Sequence, residues 1–140
     1  MMAMRSVLAL AVWSLLIWAT RIDNIWSDEA LDTLDKIGRT ALALSFVAFA
    51  VAALVLVWRS RRTGFSPVAR LPLVAFAAWT IGVWVVRGGG ILVGDHDVAF
   101  QAVHSVLAVV SIALAVAVWR AVRGSGRRRR PRMTRARSAA

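Results

Sequence analysis

The residues best placed to do chemistry lie near the start of the last apolar stretch. Asp97, Gln101, His104, Ser105 and Ser111 are separated by four, three, one and six positions, spacings that place them along one stripe of a helix. His104 stands about two turns in from the hydrophilic segment before it, roughly 10 Å along the helix axis. An ionisable side chain at that depth faces the interior of a bundle and is a candidate for an ion or proton pathway. The competing reading is an imidazole bonded to a hydroxyl or carbonyl of a neighbouring helix, holding the bundle together.

Asp95, His96 and Asp97 raise a second chemistry, because imidazole and carboxylate together suit zinc or manganese. Both aspartates are also what a helix N-cap and first turn call for. His96 and His104 are eight positions apart, too far along a helix to share one small ion, and no other histidine occurs. Asp95, His96, Asp97 and His104 are thus the residues that would hold a metal or a haem across a dimer. Within one chain, no metal, cofactor or catalytic set is expected.

Four apolar runs must position these residues: Ser6 to Thr20, Thr40 to Trp58, Val68 to Val86 and Val98 to Trp119. A spanning helix needs roughly 17–25 residues to cross ~30 Å of hydrocarbon. The last three runs reach that length directly, and the first does so by recruiting Met2 to Met4. The hydrophobic fraction is 59%, against ~45–50% in soluble domains. The fold expected is an all-α integral membrane protein, a four-transmembrane-helix bundle over residues 1–123, with spans at about 4–20, 38–58, 67–87 and 97–119. A cleavable signal peptide in place of the first span would need small residues before the cut. Ile17 and two tryptophans stand there instead.

Local signals set the boundaries. Ser27 followed by Asp28 and Glu29 has the form of an N-cap with carboxylates in the first turn. Helix two is therefore expected to start outside the membrane, with 27–37 exposed. Asp32 with Lys36 and Asp35 with Arg39 form acid-before-base pairs four apart. Ser66 and Pro67 predict the start of helix three. Gly88-Gly89-Gly90 predicts its end, leaving Ile91-Leu92-Val93 to dip into the interface. Asp95 or Asp97 should cap helix four, which is expected to run to about Val122. Small residues predict close helix approach at Ala48, Ala52 and Ala53, at Ala75, Ala78 and Gly82, and at Ala108 and Ala115. Trp18, Trp26, Trp58 and Trp119 sit where an interfacial indole is favoured. Residues 124–140 have no apolar content to fold around and are expected to be a disordered, arginine-rich tail.

Charge gives orientation. All seven acidic residues fall in the two hydrophilic segments after runs one and three. Placing the other connection and the tail inside puts fourteen basic residues on that side and only Arg21, Lys36, Arg39 and Arg87 on the other. By the positive-inside rule both termini are cytoplasmic (N-in, C-in) and the protein belongs in the cell's inner (plasma) membrane. Arginine outnumbers lysine seventeen to one, a bias expected of a high-GC bacterium.

The net charge of +11 reflects this flank and tail, not a nucleic-acid-binding face. No aromatic residue interleaves the arginines to stack bases, so no nucleic acid partner is expected. Arg127, Arg128, Arg129, Arg130 and Arg132 instead predict contact with anionic lipid headgroups, at about 1 kcal/mol per base. The absence of cysteine excludes disulfides and thiol chemistry. The first run offers only Ser14 at its centre where small multidrug exporters carry a carboxylate. Small size, several spans and a basic C-terminal tail resemble phage holins, on no specific motif. Two functions from different classes follow. One is a non-enzymatic accessory or scaffolding component, working through a membrane-protein partner or a second copy. The other is a small oligomeric channel, holin-like, with His104 on its pathway.

Overall fold

The computed structural model describes residues 2–95 and 97–127. It is all-helical over four elements: α1 (Met2–Ser27), α2 (Thr33–Arg59), α3 (Pro67–Val93) and α4 (Val98–Arg127). Each is long and apolar enough to cross a membrane. At 26 to 30 residues they extend about 39–45 Å, so their ends would project beyond ~30 Å of hydrocarbon.

Cross-helix pairs fix the directions. Trp13 bonds Ser111 and Arg21 bonds His104, so α1 and α4 run antiparallel. Trp79 reaches back to Ser45 and Phe76 stacks on Phe49, so α2 and α3 do as well. The connections 28–32 and 94–97 therefore share one end, here the acidic end, and 60–66 lies at the basic end. α1 packs most closely on α2 and α3 on α4, with α1 against α4 between the two pairs. Of these four neighbouring pairs, α2 against α3 is the most loosely packed. One core runs through the bundle, built on Leu10, Phe46, Leu73, Phe76, Ala115 and Val118.

Two helix starts agree with their sequence signals. Ser66 Oγ accepts from the Ala69 amide ahead of Pro67, and Asp97 Oδ1 accepts from the Phe100 amide. Other boundaries move. Ser27 does not cap α2 but ends α1, its hydroxyl bonded to the Asp23 carbonyl. The cause is Trp18, Ile22 and Ile25, which continue the packed face of α1, with Ile25 buried. Asp32 caps α2 instead, accepting from the Asp35 amide at 2.7 Å. With Asp32 so used, Lys36 turns to the Trp26 carbonyl at the end of α1, and Asp35 with Arg39 is the acid–base pair that forms, at 3.7 Å.

Gly88-Gly89-Gly90 does not stop α3, which continues through Ile91-Leu92-Val93. A Cβ at Gly88 would lie 3.6 Å from Ala108 Cβ, so packing on α4 holds this stretch helical. At the other end α4 passes Gly124 and reaches Arg127. Arg123 stacks over Trp119 at 4.3 Å, and bases suit a helix C-terminus. Residues 128–140, the rest of the predicted tail, lie outside the described residues.

Trp18, expected at an interface, is buried, stacked on Phe46 at 4.2 Å between ring centroids. The small residues divide: Ala53, Ala108 and Ala115 are buried in helix contacts, whereas Ala48, Ala52, Ala75, Ala78 and Gly82 are exposed.

Candidate functional site

The chemistry of the bundle gathers at its acidic end. Trp18 and Arg21 on α1 repeat the spacing of Trp84 and Arg87 on α3. Three positions on a helix put both members on one face, a turn apart. Both indoles are buried, 6.4 Å apart between centroids, and each arginine follows its tryptophan by about one turn of helix. From α4, His104 Nδ1 lies 2.9 Å from the Phe100 carbonyl and Nε2 lies 3.4 Å from Arg21 Nη1. A guanidinium only donates, so Nε2 accepts and Nδ1–H donates to Phe100.

Trp18, Arg21, Trp84, Arg87, Ile91 and His104 enclose a cavity of about 20 Å³, room for a single water. The surroundings are strongly positive. Arg87 feels the charges of both Arg21 and Arg39. Arg39 has Asp35 as partner. Among the described residues, Arg21 meets no carboxylate and Arg87 has neither ion pair nor hydrogen bond. Half-buried bases without counter-charge attract anions.

Arg87 also borders a second, larger space. The loose seam between α2 and α3 opens into an apolar groove of about 730 Å³, lined by Leu42 and Phe49 on one side and Ala75, Ala78, Gly82 and Val86 on the other. Trp79 bridges the seam through its Nε1–H to Ser45 Oγ at 3.1 Å. The exposed small residues of α3 thus form the floor of the groove, with Arg87 at its acidic end.

The stripe of α4 is divided among separate tasks. Asp97 caps the helix, and Gln101 donates to the Gly94 carbonyl at 3.3 Å, closing the connection before it. His104 and Ser111 face α1. Ser105 is half-buried beside them. Asp95 and Asp97 are exposed, His96 lies outside the described residues, and no three His, Asp or Glu side chains among the described residues converge on one point. Arg127 ends α4, while Arg128, Arg129, Arg130 and Arg132 lie outside the described residues. Arg21 and Arg87 share the Trp-x-x-Arg spacing with Trp58 and Arg61 at the basic end, so the spacing alone does not single them out.

The Trp13–Ser111 bond, 2.9 Å between α1 and α4, gives a first expected result. Interhelical hydrogen bonds in membranes average ≈0.6 kcal/mol and reach ≈1.7. Ser111→Ala should therefore lower stability by about 0.6–1.7 kcal/mol in a denaturant titration of the detergent-solubilised protein. A larger loss would mean that Ser111 holds more than this bond.

The chain matches no known protein-family model, no curated protein and no solved structure.

Proposed function

We propose that this chain is a non-enzymatic accessory or scaffolding protein of a bacterial inner membrane, with both termini cytoplasmic and its acidic end outside. The observation that carries the reading is the surface around the first connection. Asp28, Glu29, Asp32 and Asp35 are all exposed, and among the described residues Asp28 and Asp32 bond only to nearby backbone amides. Trp26, Leu34 and Ile37 stand exposed among them, Leu34 at 80%. Large apolar side chains rimmed by charge mark an interaction surface, and this one suits a partner with a basic outer face. At the opposite side, the arginine tail would hold anionic headgroups.

The channel reading is disfavoured for a single chain by its interior. Leu10, Phe46, Leu73 and Phe76 fill the axis, each below 2% exposed. A pathway would have to run between chains.

The test places a photo-crosslinking residue at Leu34 in living cells. A discrete adduct is expected, lost when Asp28, Asp32 and Asp35 become asparagine and Glu29 becomes glutamine. Asparagine at position 32 still caps the helix, so the fold survives the change. An unaltered adduct, or none, would refute the reading.

A further inference from the structure

We infer that the groove between α2 and α3 is a binding site for one anionic phospholipid from the leaflet at the acidic end. Its phosphate would sit on Arg87 and an acyl chain along Ala75, Ala78 and Gly82.

The argument starts from shape. The groove is apolar along its length and lies among the exposed side chains of α2 and α3, with Ala75, Ala78, Gly82 and Val86 on the outer face of the bundle, the side from which a lipid arrives. From Arg87 to Ala75 the helix advances twelve positions, about 18 Å, close to half of a ~30 Å hydrocarbon layer. That is the reach of one leaflet's chain. A partner helix would need an open face across the whole thickness. Phe49 stacks on Phe76, at 5.6 Å between centroids, where the seam closes below the groove.

Charge selects the headgroup. Arg87 lies at the groove's end with no partner among the described residues, repelled by Arg21 and Arg39. An arginine fork takes a phosphate through two parallel hydrogen bonds, and a negative charge there relieves the repulsion among all three bases. Among the described residues, the acidic side chains of this end do not fill that role. Asp23, Asp28, Glu29, Asp32 and Asp95 are exposed in or beside the two connections and Asp97 caps α4. Asp35 is committed to Arg39.

The experiment uses the full chain in nanodiscs holding equal phosphatidylglycerol and phosphatidylcholine, followed by native mass spectrometry of the released protein. One phosphatidylglycerol should be retained in preference to phosphatidylcholine. Arg87→Gln should reduce that preference about five-fold, the factor expected for one base against an anionic headgroup. Gly82→Leu should remove retention while leaving the helical signal intact, since a Cβ at Gly82 meets nothing within 4 Å. Truncation after Arg127 should leave retention unchanged, separating this site from headgroup contacts of the tail. Equal retention of both lipids, loss only on truncation, or a Gly82→Leu variant that changes oligomeric state without changing lipid retention would each overturn the assignment. The last result would make the groove an interface between copies.

Discussion

Replacing Phe46 with alanine is expected to destabilise the bundle by about 3 kcal/mol, the low end of the range for aromatic truncations in protein cores. Phe46 is wholly buried, stacked on Trp18 at 4.2 Å with an 11° interplanar angle, and 6.3 Å from Trp79. It touches α1 and α3 from α2, so its loss opens a cavity bordered by three helices. In lipid the transfer contribution is small, because a side chain leaving the bundle enters hydrocarbon. What remains is the dispersion contact forfeited around the void, hence the low end of the range. Leu44, two positions away and 53% exposed, is the control: Leu44→Ala should change stability by less than about 0.5 kcal/mol, as for other surface sites. Circular dichroism during an SDS titration in mixed micelles measures both. Equal midpoints would mean that α2 presents a different face to the core.

That control also shows why so little of the packing could be read from residues alone. The four apolar runs translate directly into four helices, since only helices and closed barrels satisfy the backbone in hydrocarbon and these long, continuously apolar runs lack the alternation of barrel strands. Which face of each points inward is another matter. Along α2, Phe46, Ala50 and Ala53 are buried while Leu44, Val51 and Val55 face out, and the two sets are equally apolar. A helix hydrophobic all round carries no amphipathic signal. Cap residues were legible where a proline or aspartate dictates the turn, as at Ser66-Pro67 and Asp97. They failed at Ser27 and at the glycine triplet, where contacts with neighbouring helices override local preference. The same limit applies to the site. His104 stands out as a titratable group in an apolar run, but Arg21, its partner from α1, is distant in sequence. Arg87 gains meaning only when the α2–α3 seam is seen to open beside it.

The pairing of His104 with Arg21 leads to the second large expected effect. His104→Leu should cost about 1 kcal/mol, the low end of the penalty for leaving a buried polar group without its partner, because the Arg21 guanidinium is only half-buried and its bond to His104 is 3.4 Å long. The guanidinium that loses its acceptor sits among Arg39 and Arg87, so it has no nearby carboxylate to turn to among the described residues. His104→Gln, whose carbonyl can accept the same hydrogen bond, should recover part of the loss. In an Arg21→Met background His104→Leu should cost much less, because contacting residues couple by about 0.5–3 kcal/mol. Ion flux in liposomes separates this from a pathway role. Vesicles holding the wild type or His104→Leu are expected to be equally tight, since His104 is turned toward α1 and the interior beneath it is packed. Flux through the wild type that His104→Leu abolishes would place the imidazole on a conducting route between chains. The Arg21 hydrogen bond would then be part of its gate, and the accessory reading would fall.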